Sequence, residues 1–148
     1  MIETHSAEET RALGAKLART LKPGDIVILQ GDLGAGKSEL ARGVARGLGI
    51  TGPVPSPSFT ILNAYDEGSL PLYHFDWYRI NDPEEIAEMG FEEQLHGGGV
   101  SLIEWSERAA EYLPERLLCV RIQTVDENTR RLFFEPRGGF PFSEELLQ

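Results

Sequence analysis

The chain has 148 residues, 41% of them apolar, with 24 acidic against 14 basic side chains and a formal charge of −10. This length suits one domain. No apolar run reaches the roughly 18 residues of a membrane helix, no basic start leads into an apolar stretch as in a signal peptide, and the lone Cys119 excludes an internal disulfide, so a reducing cytoplasmic setting is expected. Residues 1–50 carry six acids and seven bases, leaving eighteen acids and seven bases for residues 51–148. Such a balance argues against a broad basic face for nucleic acid, because phosphate neutralisation needs clustered Lys and Arg.

In chain order, Ser6 and Glu9 make a capping box for a first helix whose Leu13, Leu17 and Leu21 recur at helical spacing, with Pro23-Gly24 ending it. Ile26 to Leu29 predicts a strand buried on both faces. A glycine-rich turn, Gly31 to Gly36, leads to a second helix with Leu40, Val44 and Leu48 on one stripe and Gly49 as its stop. Residues 51–57, TGPVPSP, predict a loop. Ser58 to Tyr65 and Leu72 to Tyr78 predict a β-hairpin turning at 66–69.

Further on, Asp82 as N-cap and Pro83 at the first helical position start a short acidic helix ending near Gly90. Val100 to Ile103 predicts a strand, Ser106 to Tyr112 a helix ended by Pro114, and Leu117 to Gln123 and Arg131 to Glu135 late strands. Residues 137–148 are expected to be a frayed tail to a single domain over 1–136. Together these elements predict an α/β, P-loop NTPase-like three-layer fold. Its central sheet is expected to be mostly parallel, with a β-hairpin and late antiparallel strands.

Gly31-Asp32-Leu33-Gly34-Ala35-Gly36-Lys37-Ser38 satisfies G-x-x-x-x-G-K-S/T between an apolar strand and a helix. The glycines let backbone N–H groups turn inward as an anion nest and the helix adds its positive end. Lys37 can then reach β- and γ-phosphates, and the Ser38 hydroxyl can ligate magnesium. In a chain of this composition the pattern arises by chance about 0.3% of the time.

Glu104, at the end of the strand Val100 to Ile103, resembles a Walker B carboxylate that would hold magnesium or orient water; the alternative is a surface carboxylate at a strand end. In His74-Phe75-Asp76-Trp77-Tyr78-Arg79, strand alternation puts His74, Asp76 and Tyr78 on one face and Phe75 and Trp77 on the other. Asp76 is the candidate for metal or water chemistry, and His74 reads as a hydrogen-bonded structural histidine. Arg79 either stabilises charge in cis or pairs with Asp82. Ser56 to Thr60 sits where nucleotide switches carry a mobile loop, and is otherwise an ordinary turn. Phe91 and Trp105 read as core residues. Asp82 to Glu93 holds six acids and no base, either a contact for a basic partner or a solvated helix face.

The blocks GDLGAGKS, PSPSFTILNAY, YHFDWYRINDPEEIAEMGFEE and SLIEWSE follow one another within residues 6–122. With them the chain resembles the TsaE family, small P-loop ATPases of tRNA threonylcarbamoyladenosine biosynthesis. The resemblance implies that Leu33, Gly34, Ala35, Gly36, Lys37 and Ser38 bind the phosphates of ATP, that Ser38 and Glu104 hold Mg2+, and that Asp76 serves hydrolysis beside Lys37 and Glu104. It also implies that Ser6 to Thr10, Ala7 included, approaches the adenine, and that Arg130 or Arg131 lies near the nucleotide. Family members usually carry Thr where Ser38 and Ser58 stand, and leucine where Trp77 stands.

As partner the resemblance implies a TsaB–TsaD heterodimer carrying the transferase site, with tRNA met only through that complex and no membrane involved. A separate enzyme makes threonylcarbamoyl-adenylate. Hydrolysis by the lone chain is expected to be weak. Two other readings are a small-molecule kinase, for which Arg130-Arg131 would supply the arginine-bearing lid, and a GTPase, against which none of Lys16, Lys22 or Lys37 follows an asparagine.

Overall fold

The computed structural model describes residues 1–32 and 34–148. Strand β1 (Ile2–Thr4) precedes helix α1 (Ala7–Ala18), then come β2 (Ile26–Gln30), α2 (Lys37–Gly47), β3 (Leu62–Tyr65) and β4 (Leu72–Asp76). Two short helices, α3 (Glu84–Glu88) and α4 (Glu92–Leu95), lead to β5 (Val100–Glu104), a 3-10 segment over Ser106–Tyr112, β6 (Leu117–Thr124) and β7 (Arg130–Arg137).

One sheet has the order β1-β7-β6-β2-β5-β4-β3. Its four central strands, β6, β2, β5 and β4, are parallel, while β3 pairs antiparallel with β4, β7 with β6, and β1 with β7. Strand β2 sits between two parallel neighbours, so alternate side chains feed two cores. Val27 and Leu29 join Leu17 of α1 and Leu40 and Val44 of α2 on one face, while Ile26 and Ile28 join Phe75, Trp77, Ile86 and Leu95 on the other. Helices on both faces of the sheet make the three layers.

Helices α1 and α2 approach more closely than side chains permit. A Cβ at Gly43 would stand 2.0 Å from the Arg11 carbonyl oxygen, and one at Gly47 2.5 Å from that of Ala15. Ion pairs flank this seam: Glu8 binds Arg11 and Arg46, and Glu39 binds Arg11 and Arg42.

Several predicted boundaries move. The Ser6 hydroxyl caps α1 by accepting from the Glu9 N–H at 3.0 Å, but the Glu9 carboxylate accepts from the N–H of His5 rather than of Ser6. The predicted strand over 58–65 begins only at Leu62, because the N–H groups of Thr60 and Ile61 turn back to the Pro57 carbonyl and Ile61 has φ 68°. Strand β4 stops at Asp76, where the Tyr78 N–H turns onto the Asp76 carboxylate. The Asp82 carboxylate does accept from the Glu84 N–H, yet helix α3 starts one residue after Pro83.

Ser106–Tyr112 is 3-10 with a break at Ala109 (φ −147°) instead of a regular helix. The final segment is packed and not frayed. Phe140 and Leu147 are buried in the α1/α2 core, Phe142 stacks on Phe134, and Glu144–Leu147 forms a 3-10 turn capped by Ser143.

Gly43→Ala is the informative test of the helix seam. In an ordinary helix interior the change stabilises by about 0.5–1 kcal/mol. Here the methyl must displace backbone, so a loss of about 1–3 kcal/mol is expected, read as a lower denaturant midpoint at unchanged slope.

Candidate active site

Three adjacent strands end together, and their C-terminal ends build the site. Across the sheet Leu29 of β2, Glu104 of β5 and Asp76 of β4 stand in register as neighbours. After Gln30 the chain leaves β2 through residues 31–36 and enters α2 at Lys37. Gly34 and Gly36 adopt φ of 80° and 105°, a region that costs an L side chain about 1–2 kcal/mol. A Cβ at Gly34 would meet nothing within 4 Å, so backbone conformation and not crowding selects glycine there.

A cavity of about 670 Å³ opens against this turn, bordered by Gly34, Gly36, Lys37, Ser38, Asp76 and Glu104. Lys37 is 9% exposed, with Nζ 3.9 Å from Oε1 of Glu104 and 5.1 Å from the centre of the Trp105 ring. Glu104 is 5% exposed, and its Oε2 lies 2.8 Å from Nε2 of the buried His74. Asp76 accepts the Tyr78 N–H on Oδ1 at 2.9 Å, and no other hydrogen bond to this carboxylate is present among the described residues.

The mouth of the cavity takes in part of segment 56–60, which the sequence places at a nucleotide-switch position. The half-buried Trp105 packs against the core as expected and also lines the mouth, held at φ 58° and ψ 39° with its ring 4.9 Å from that of Tyr78. Ser56 and Ser58, hydrogen-bonded to each other at 2.9 Å, border the other side. The Arg79 guanidinium lies 4.6 Å over the exposed Phe59 ring and not beside Asp82. The acids of segment 82–93 are exposed apart from the half-buried Glu85.

Of the other expected residues, Ala7 and Arg130 line a smaller cavity of about 160 Å³ on the far side of the turn, together with Ser6 and Thr10, while Gly34, Gly36 and Glu39 border both cavities. Ala35 buries its methyl in the core and gives its N–H to the Asp32 carbonyl, so it borders neither. Arg131 turns away to Glu3. Leu33 lies outside the described residues.

A family model described as "Threonylcarbamoyl adenosine biosynthesis protein TsaE" matches residues 4–132. The chain belongs to the TsaE family. It is 44% identical to the tRNA threonylcarbamoyladenosine biosynthesis protein TsaE of Bacillus subtilis over 136 residues, covering 92% of this chain and 85% of that one. The TsaE of a Nostoc species is 42% identical over 133 residues, 87% of this chain and 81% of its own. Among solved structures, Bacillus subtilis YdiB superposes with a TM-score of 0.81 at 41% identity, covering 93% of this chain and 84% of that chain. The fold is thus P-loop NTPase-like.

Within this TsaE fold, Arg130 serves the glycine turn from behind. Its Nε donates to the Ala35 carbonyl at 3.0 Å and an Nη to that of Gly34 at 3.4 Å. Because the Ala35–Gly36 peptide is trans, fixing the Ala35 carbonyl outward aims the Gly36 N–H the opposite way. The tight turn over 125–129 supplies the arginine: hydrogen bonds from Thr129 and from the Asn128 N–H hold the Asp126 carboxyl below its usual range, and the Asp126 carbonyl accepts from Arg130.

Arg130→Ala removes the two charge-assisted bonds to the glycine turn, each worth about 1.5–3 kcal/mol before water recovers part of the loss, along with those to the carbonyls of Asp126, Glu127 and Thr129. Amide hydrogen exchange over 34–36 is expected to speed up at little change in Tm. Nucleotide binding should weaken about tenfold, which calorimetric titration would measure.

Proposed function

We propose that this TsaE-family chain is a cytoplasmic, Mg2+-dependent ATPase serving threonylcarbamoyl modification of the adenosine next to the anticodon in tRNA. It acts with a TsaB–TsaD heterodimer that carries the transferase site, and it meets tRNA only through that complex. The observation that carries the reading is the meeting of the glycine turn, Lys37, Asp76 and Glu104 at neighbouring strand ends.

In this reading the N–H groups around Gly34 and Gly36 and the start of α2 receive the phosphates. Lys37, buried with the Glu104 carboxylate 3.9 Å away, exchanges that partner for phosphate oxygens when ATP enters. Ser6, Ala7 and Thr10 border the smaller cavity and offer the base a place beside the turn.

The donor set suits magnesium. Ser38 and Glu104 present hard oxygen ligands to one cavity, and the described residues hold no cluster of three or more ligating His, Cys, Asp or Glu side chains. An ion held by a hydroxyl, a carboxylate and substrate phosphates, with water completing its shell, is the usual arrangement for this metal. Bound there, it would neutralise charge on the β- and γ-phosphates. Asp76, anchored through one oxygen by the Tyr78 N–H, keeps the other free to accept from an attacking water and orient it. The exposed acids Glu84 and Glu88, with Glu85, would face a basic partner surface.

Lys37→Ala should abolish ATP binding and leave tRNA unmodified in a strain dependent on the variant; normal modification there would overturn the reading. ATP turnover should be slow for the chain alone and rise on adding purified TsaB and TsaD. An unchanged rate would remove the partnership while leaving the ATPase. Replacing Glu84, Glu85 and Glu88 together by Lys should weaken partner affinity most at low salt, whereas equal affinity at low salt would mark these acids as a solvated face.

A further inference from the structure

We propose that His74 is a positioning residue for the ATPase site, dividing the Glu104 carboxylate so that one oxygen is tied down and the other is offered to the cavity. The inference rests on the reading of this cavity as an ATPase. His74 is 1% exposed and sits in the middle of β4, opposite Leu102 of β5 on one side and Asn63 of β3 on the other. Its ring therefore cannot leave the sheet face without unpairing two ladders. From that fixed base Nε2 reaches diagonally to Oε2 of Glu104 at 2.8 Å.

The remaining contacts show why this bond matters. Glu104 is itself buried, and its only cationic Lys or Arg partner among the described residues is Lys37, 3.9 Å from Oε1. Were the His74 bond lost, the buried carboxylate would keep a single cationic partner and swing fully onto Lys37. That would withdraw from the cavity both the oxygen expected to meet magnesium and the ammonium expected to meet phosphate.

Nδ1 of His74 is buried without a partner among the described residues. With Nε2–H donating to Glu104, Nδ1 is a bare acceptor, which is cheaper to leave unpaired than a buried N–H. The ring thus acts as a one-sided clamp. Residues that orient a ligand in this way commonly govern metal affinity or turnover by 10–100-fold.

Steady-state ATP turnover with magnesium titration, run on the partner-bound chain, tests this with two variants. His74→Leu, which fills the space and removes the donor, is expected to lower kcat by about 10–100-fold and to raise the magnesium requirement, with KM for ATP held within about threefold. His74→Gln, which can return an N–H to Oε2, should recover kcat to within about threefold of the parent. Equal losses in both variants, or an unaltered kcat in His74→Leu, would overturn the proposal. An inactive parent protein would instead overturn the ATPase reading.

Should His74→Leu fail to fold, the imidazole itself decides. Histidine side-chain 1H–15N spectra of the parent should show an Nε2–H tautomer for His74, and Glu104→Gln should move its resonances. An Nδ1–H tautomer, or resonances indifferent to Glu104→Gln, would overturn it.

Discussion

The contact on which the active face depends is the seam between α1 and α2. Gly14, Gly43 and Gly47 let two backbones touch, a Cβ at Gly14 already standing 2.5 Å from the Leu40 carbonyl oxygen. Helix α2 is committed by its own start, because Lys37 must leave the glycine turn at the end of β2. Pressing α1 against it brings the capped end of α1, with Ser6, Ala7 and Thr10, beside Gly34 and Gly36. A wider seam would part these two edges of the smaller cavity, and the Glu8 and Glu39 ion pairs bridging the helices would lose their reach.

The site beside this seam concentrates cost. Lys37, His74, Asp76 and Glu104 are all buried, although ionisable groups are seldom removed from water unless paired. Trp105 adds a left-handed backbone and Ile61 another, the latter in a β-branched residue. Strain of about 1–3 kcal/mol at each such point persists only where surrounding structure imposes it. Here the surroundings are the two apolar cores on either side of β2, with Leu17, Leu40, Phe75 and Trp77 almost wholly buried. The near-neutral first 50 residues belong to the same economy, since the glycine turn is not set in the acidic part of the chain.

Much of this was legible along the chain because its signals are local. Ile26 to Leu29 and Val100 to Ile103 are continuous apolar runs since both faces of those strands are covered. The glycine turn announces itself by spacing, and Asp76 and Glu104 stand at the ends of strands. What escaped is what depends on distant partners. The short β1 forms only by pairing with β7, and Arg130 meets the Gly34 and Ala35 carbonyls across about 95 residues. Likewise His74 and Glu104 are 30 residues apart in sequence. The apparent strand before Leu62 was an error of the opposite kind: residues 58–61 have strand-like composition, but the Pro57 carbonyl captures the N–H groups of Thr60 and Ile61. The tail read as frayed because its polar residues hide Phe140 and Leu147, whose burial requires the α1 surface.

That Asp76, Glu104 and the turn after β2 issue from adjacent parallel strands has a further consequence. Neighbouring strands are spaced about 4.8 Å apart by their backbone ladders, so the sheet acts as a ruler for the three groups. Substitutions on the outer surface cannot rescale it without breaking ladder hydrogen bonds. Segments 56–60 and 125–129 border the cavities without belonging to a ladder, so that spacing does not bind them. The spacing of the chemical groups is thus a property of the backbone and not of the side chains packed around it.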